Sequence, residues 1–477
     1  MTLDRKSILN YIIMFAIMIV IGTLSPIGSI TQMGMKVLGV FIGVIYGWIM
    51  IDIIPVSMIG FVCLGLTGYK PLLQIVASGF SNTIIITILL SVIFTGAVAK
   101  TRCMDIITKW LLTSKFTQKD PWNLVFAIFL LAVMGHVCDM MYATIFLLWT
   151  LVLKLADKCG YERKSMFVTF MITMISVISV STGLCFPWKV IVLAFSSMYD
   201  PTMYSVFPYA KHMFISLLYI VLFIIGLIAM AKYVFKMDIS KFKIDEETIK
   251  EYEDMQIEPI HKFGLYSILS FALIMFLSSL LPSGSVLSTW FNKLGLAGII
   301  FIYLVIFSLL KDSDGNKLID MQDAHSMIPW SVIWILLFVT PLCDAMQSTD
   351  SGIMTMIGQV MVPLFSGLNT YVFMATAIVL IGVVTQVLNN VVIAAIFLPV
   401  FYTLANSLGV NTYIFFIVLI LVLNCDAATP AGSMSGAMCH GHSDVDKKYV
   451  YLFGILASIL TIVICVFVLM PIGSLIC

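Results

Sequence analysis

The sequence predicts an all-α polytopic membrane protein, with about 11 transmembrane helices plus two re-entrant hairpins in an inverted repeat. Three observations predict it. Of 477 residues, 61% are hydrophobic and only 11% charged, and the mean hydropathy is +1.08. That is far from the usage of soluble domains. Apolar stretches near the ~20 residues that cross a bilayer recur from end to end. The basic residues sort to one side of the membrane those stretches define.

Taken in order, the spans fall at 8–28, 33–51, 53–69, 82–100, 165–200, 211–232, 263–282, 296–310, 328–347, 411–430 and 449–472. Two further apolar stretches, 122–157 and 369–407, are too long for one crossing and read as hairpins that enter and leave on the same side. The first span has no small-residue cleavage site, so it reads as a retained span and not as a signal peptide. With a cytoplasmic N-terminus and an outside C-terminus, 21 of the 26 Lys and Arg residues fall inside. Lys36, Lys70, Lys211 and Lys293 fall outside, and Lys189 lies within the membrane. This is the positive-inside bias of an integral plasma-membrane or inner-membrane protein, with lipid as its surroundings. The net charge of +1 gives no reason to expect a nucleic-acid partner. The ten cysteines show no paired spacing, so neither a structural disulfide nor a structural zinc is expected.

One long polar segment, 236–262, alternates in charge and reads as a cytoplasmic linker with a surface helix. It separates a first half, 1–235, from a second, 263–477. LWTLVLKLADKCGYER (148–163) parallels LPVFYTLANSLGVNT (398–412), and STGLCFPWKVIV (181–192) parallels CDAATPAGSMSG (425–436). The offsets are similar, 251 from Leu148 to Pro399 and 243 from Pro187 to Pro430. The charge map opens the first hairpin to the cytoplasm and the second to the outside, so equivalent parts face opposite ways. Each half thus holds one hairpin and one broken helix, the latter at 165–200 and 411–440.

Backbone that leaves a helix inside a bilayer must be satisfied by protein or water, so hairpin tips and breaks are where chemistry gathers. The second hairpin turns at Leu388, Asn389 and Asn390, whose amides suit capping and a cavity wall. The alternative is capping alone. Its partner break, NCDAATPAG (424–432), holds Asp426, and an acid within the membrane is a functional candidate by default; the alternative is a charge emerging at the cytoplasmic end. The first hairpin turns near HVCDMMYATIF (136–146), with Asp139 where the second has Asn390. Its partner break, LCFPWKV (184–190), carries Lys189 after Pro187 and Trp188. Asp139 and Lys189 are candidates to pair, with the ammonium standing where another protein would hold a cation. The alternative is a Lys189 that snorkels to the interface beside Trp188. His136 is a candidate proton relay, and more simply a hydrogen-bonded ring. His440 and His442 read as part of a cytoplasmic loop rather than a metal cluster.

GFSNTIIITILL (79–90), IPWSVIWILLF (328–338), NNVVIAAIFLP (389–399), ATPAGSM (428–434) and YLFGILASIL (451–460), in this order, resemble the divalent anion:sodium symporter family of di- and tricarboxylate and sulfate carriers. The resemblance implies a dimerising scaffold, a transport domain holding both hairpins, and elevator movement. It also implies two sodium sites, each made of a Ser-Asn-Thr tip and a Thr-Pro-Pro-Asn type loop, with substrate between the tips. Here the first tip reads Cys138, Asp139, Met140 and the second Asn389, Asn390, Val391. The first loop reads Phe186, Pro187, Trp188, Lys189; the second keeps Thr429 and Pro430 but continues with Ala431 and Gly432. A hard cation needs several oxygen ligands, and the tips have lost their hydroxyls. An ammonium ~4 Å from a cation, at an effective dielectric of ~20, repels it by about 4 kcal/mol, roughly a thousandfold in affinity.

The expected function is therefore secondary active transport of small anions, di- or tricarboxylates or similar, by a homodimer with altered sodium sites. Asn389, Asn390, Thr429, Pro430 and Lys189 are the candidate substrate-binding residues. Cys138, Asp139, Met140, Gly183, Pro187, Val391, Asp426 and Gly432 are the candidate ion-coupling residues. Sodium or a proton is the candidate coupling ion, with sodium near Asn389, Asn390 and Asp426; no other cofactor is expected. The alternatives are a cation:proton antiporter using Asp139 and Asp426, and a non-transporting sensor. No HExxH, GxSxG or nucleotide loop supports an enzyme.

Overall fold

The computed structural model describes residues 5–476 except 139, 201–202, 204–208, 279, 282–284, 312–314, 316, 320–327, 329, 354, 357–358, 360–368, 389, 427 and 431. Two of the candidate site residues, Asp139 and Asn389, lie outside the described residues. Among those described, the regular structure is helical apart from one isolated bridge between Lys311 and Lys317. Seven helices are individually long and apolar enough to cross a membrane, with shorter apolar helices between them.

The chain opens with the helices Arg5–Thr23 and Gln32–Met50, packed against each other. Their close approach comes from Gly39, Gly43 and Gly47, spaced four apart on one face. A Cβ at Gly39 would lie 2.6 Å from the Met18 carbonyl oxygen, and one at Gly43 2.4 Å from Met18 Cγ. Small residues at this spacing let two helices meet backbone to side chain, which is how helices associate where lipid supplies no hydrophobic drive. Ile53–Gly65, Leu72–Phe80 and Thr83–Lys100 follow, and then the short amphipathic helix Met104–Leu112.

Helices flank both expected turns: Pro121–Val137 and Met141–Lys158 the first, Thr370–Val384 and Asn390–Ser407 the second, and these pairs are the arms of the two hairpins below. Both expected breaks are present too. The first broken span runs Met166–Ser181, tightens into a 3₁₀ turn over Thr182–Cys185, leaves the helix, and resumes at Val190–Tyr199. The second runs Thr412–Leu423, opens over 424–433, and resumes at Met434–Gly441.

These broken spans form the centre of the molecule. In the segment Met166–Cys185 every residue is buried except Met166 and Val180, which are half-buried, and every residue from Ile414 to Leu423 is buried. Helices that are apolar all round belong in such positions. Around them stand Tyr209–Ala229, Pro259–Ser278, Trp330–Gln347 and Lys447–Ile464. The span expected at 296–310 begins earlier, at Val286, and is interrupted at Gly295, whose φ of +58° only glycine adopts without strain.

The polar segment after the first half contains the expected surface helix, Glu246–Glu253. It is docked rather than loose. Lys158 Nζ lies 2.6 Å from Asp245 Oδ2 and 2.7 Å from Glu247 Oε2, and Lys154 Nζ lies 2.6 Å from Glu251 Oε2. Lys109 donates to the carbonyls of Glu253 and Met255 at 2.7 and 2.9 Å. Phe242, fully buried, packs edge-on against Phe167 with ring centres 4.9 Å apart. Helix ends leave carbonyls without partners, and Lys109 supplies them here.

Candidate functional site

Where the spans break, carbonyls lose their helical donors inside a dry interior. An unmet buried polar group is costly, and side chains from neighbouring elements meet these. At the first break His136, from the first hairpin, donates Nδ1–H to Ser179 O at 2.7 Å, and His212 donates Nε2–H to Leu184 O at 2.9 Å. Asn424 reaches across from the second span and donates to Val180 O at 2.6 Å. At the second break Thr385 meets Leu423 O at 2.6 Å, Gln386 and Ser458 meet Cys425 O at 2.7 and 3.0 Å, and His440 meets Ala428 O at 3.2 Å. Gln386 also accepts from Ala428 N at 3.1 Å, and its own carbonyl accepts from the Thr429 hydroxyl.

The second tip and its break form one polar cluster. Asn390 Nδ2 donates to Asp426 Oδ2 at 2.5 Å and to Asn424 Oδ1 at 3.0 Å. Asn390 Oδ1 faces the Thr385 hydroxyl at 2.7 Å. Asp426 is 1% exposed; the Ser433 side chain lies beside its carboxylate, but Oδ1 makes no hydrogen bond of good geometry among the described residues. Gly432 lies against it: a Cβ there would be 2.2 Å from Asp426 O and 3.0 Å from Thr385 O. Val391 follows in the first turn of the hairpin arm, half-buried, and Pro430 is exposed at the edge of the break.

The first tip meets the first break. Cys138 closes the first arm by donating its N–H to Met134 O at 3.0 Å, and Met140 N–H returns to Gly135 O at 2.8 Å. Gly183 touches the His136 ring, since a Cβ there would be 2.4 Å from Cε1. Pro187 and Trp188 are buried, and Trp188 stacks edge-on with Phe271 at 5.6 Å. Lys189 is 4% exposed and starts the helix Val190–Tyr199. Both Trp188 and Lys189 are thus enclosed by protein. The expectation of a loop at His440 and His442 needs correction. His440 lies in the helix Met434–Gly441, buried, and His442 caps it and packs on Trp149 with ring centres 5.0 Å apart.

The structure thus brings Asn390, Asp426 and Gly432 together, with Thr429 held nearby through Gln386. It brings Gly183 to the first hairpin through His136. Sequence reasoning missed Thr385, Gln386, Asn424, His212 and Ser458. Asn424 and Gln386 carried a signal, an amide in an apolar run beside a recognised break or tip. The other three are ordinary residues of apolar helices.

An all-helical integral membrane protein with two hairpins meeting two charged breaks has the build of a membrane carrier. The chain belongs to the citrate transporter family, whose model matches residues 41–391. It is similar to the sodium-dependent dicarboxylate transporter SdcS of Staphylococcus saprophyticus, 24% identical over 169 residues, or 35% of this chain and 32% of that protein. The SdcS protein of Staphylococcus aureus is 24% identical over 177 residues, 36% of this chain and 34% of that one. The aligned part spans about a third of the length of these relatives. Among solved structures, the YdaH transporter of Alcanivorax borkumensis aligns with a TM-score of 0.57 at 13% identity, over 85% of this chain and 88% of that one, which shows the shared fold.

Proposed function

We propose that the protein is a secondary active transporter of small di- or tricarboxylate anions. It works as a homodimer, by elevator movement of the part that carries both hairpins. One observation carries this reading: the two hairpins meet two broken spans, and each break buries an ionisable side chain, the basic Lys189 in the first and the acidic Asp426 in the second. The family match supports the substrate class, as do the relatives named for sodium-dependent dicarboxylate transport.

The roles follow from the chemistry of the groups. Half-helices begin at Asn390, Val190 and Met434, and their N-terminal N–H groups favour an anion. Asn389, Asn390, Thr429 and Pro430 frame the substrate at the second tip, and Lys189 adds a positive charge at the first break. Lys189 takes the place of a coupling cation there, so Cys138, Asp139, Met140, Gly183 and Pro187 hold no sodium. The coupling ion, sodium or a proton, is taken at the second break by Asp426 with Asn390, Val391 and Gly432 around it. A buried carboxylate with one oxygen unmet calls for such a charge.

The test is uptake of labelled succinate, citrate and sulfate into proteoliposomes, with sodium and pH gradients imposed separately, for the unmodified protein and Lys189→Asn. Uptake that ignores sodium in the unmodified protein and gains sodium dependence in the variant supports the reading. Sodium-driven uptake by the unmodified protein sinks Lys189 as a cation substitute. A second reading, cation:proton antiport, draws on the unmet oxygen of Asp426. Cation flux with no anion present would favour it.

A further inference from the structure

The amide orientations at the second tip are forced by one backbone atom. Val180 O can only accept, so the Asn424 group 2.6 Å from it is Nδ2. Asn424 Oδ1 then faces Asn390, which must present Nδ2 at 3.0 Å. That same Nδ2 carries its second hydrogen to Asp426 Oδ2, leaving Asn390 Oδ1 toward the Thr385 hydroxyl. Val180 sits in the last turn before the first break, next to Ser179, whose carbonyl is held by His136 of the first hairpin. Asp426 thus connects through Asn390, Asn424 and Val180 to the first broken span, and through Ser179 and His136 to the first hairpin. Every bond in this path has a fixed direction, and Asn424 crosses between elements 244 residues apart.

From this path we infer that Asn424 is a positioning residue that makes the first break respond to charge at the second. A cation at the Asp426 carboxylate changes how strongly that carboxylate holds the Asn390 amide. Asn390 is the donor to Asn424, and Asn424 is the donor that holds Val180 O. A change at the second tip therefore reaches the end of the helix Met166–Ser181 without any contact between the ion and the first hairpin. The inference rests on the carrier reading for its purpose, but the linkage can be measured without transport.

The experiment follows hydrogen–deuterium exchange of the protein in nanodiscs over residues 176–188, in sodium chloride against choline chloride. In the unmodified protein, sodium changes exchange of this segment by about tenfold, within the usual range for coupling between sites. Asn424→Ala and the near-isosteric Asn424→Leu remove that response while residues 385–392 still respond to sodium. Asn390→Ala cuts the path at its other end and removes the response at 176–188 as well. A response at 176–188 that survives both Asn424 variants overturns the inference. So does an unmodified protein whose first break does not answer sodium. Labelled-anion counterflow is measured on the same variants reconstituted into proteoliposomes. Absent counterflow with the linkage intact counts against the carrier reading alone, and present counterflow with a linkage indifferent to Asn424 counts against the inference alone.

Discussion

Asn390 Nδ2 stands 2.5 Å from Asp426 Oδ2, joining the tip of the second hairpin to the break of the second span. The carboxylate has no cationic side chain in ion-pair range among the described residues, so this amide is its principal neutral support. Asn390→Ala is expected to lower stability by about 1–3 kcal/mol, the cost of leaving a buried acceptor unmet. A thermal unfolding scan in detergent reads this as a fall in midpoint. Asp426→Asn, nearly the same shape without the charge, is expected to keep the midpoint and abolish the dependence of transport on the coupling ion. Unaltered ion dependence in that variant would move the coupling site elsewhere.

Gly432→Ala places a methyl where 2.2 Å separates it from Asp426 O. Backbone is the obstacle, and the break has to shift to accept it. Overpacking of this kind costs about 1–3 kcal/mol, and the shift displaces Asp426 from Asn390. Loss of both stability and ion dependence is expected, whereas Gly68→Ala, which meets nothing within 4 Å but sits at φ +91°, is expected to lose stability through strain alone and to keep ion dependence.

Gln386 bonds to the carbonyls of Gly382 and Cys425 and accepts from Ala428 N. Gln386→Leu fills the same space and meets none of them. Of these, Cys425 O keeps Ser458, so the deficit falls on Ala428 N. A midpoint drop corresponding to about 1–3 kcal/mol is expected, with faster hydrogen exchange confined to 425–433. Unchanged exchange there would mean that another donor or water replaces the glutamine.

The linker docks on the first hairpin through Lys158, Asp245 and Glu247. Partial burial works to raise the Asp245 carboxyl, but Lys158, Thr248 and backbone N–H groups outweigh it and hold the pKa at about 2. A carboxyl depressed on folding adds stability that is complete above its unfolded pKa of about 4 and is lost as pH falls through the folded value. Pepsin cleavage of 236–258 should therefore stay slow at pH near 4 and accelerate toward pH 2, and Lys158→Ala should be cut readily at both. High salt should act in the same direction, since exposed pairs are screened.

The sequence disclosed the hairpins, the breaks and the charged residues in them, because length, hydropathy and an isolated Asp or Lys are local signals. Asn390, Asp426 and Lys189 were legible for that reason. His212 was not, and Asn424 was marked only as an amide beside a break, because the task of both is to meet a carbonyl on another element, and which carbonyl is freed depends on where a helix ends in three dimensions. The linker was legible as polar but not as docked. Its charges alternate as a solvated face would, and only the placement of Lys154 and Lys158 on the hairpin arm turns them into partners. The glycine stripe Gly39, Gly43, Gly47 was present in plain view and acquires meaning only once Met18 is seen against it.

Thr385 and Gln386, on the second hairpin itself, are the residues that meet Leu423 O and Cys425 O of the break beside it. The hairpin is therefore also the stopper of the break. Any swing that lifts it away uncovers these oxygens, and they must be hydrated or must bind a cation. On the proposed carrier reading, the empty protein would resist opening, and a cation entering from the bath would ease it by taking over ligands the hairpin lets go. Such a gate would need no separate latch, because the same oxygens would hold it shut and receive the ion that opens it.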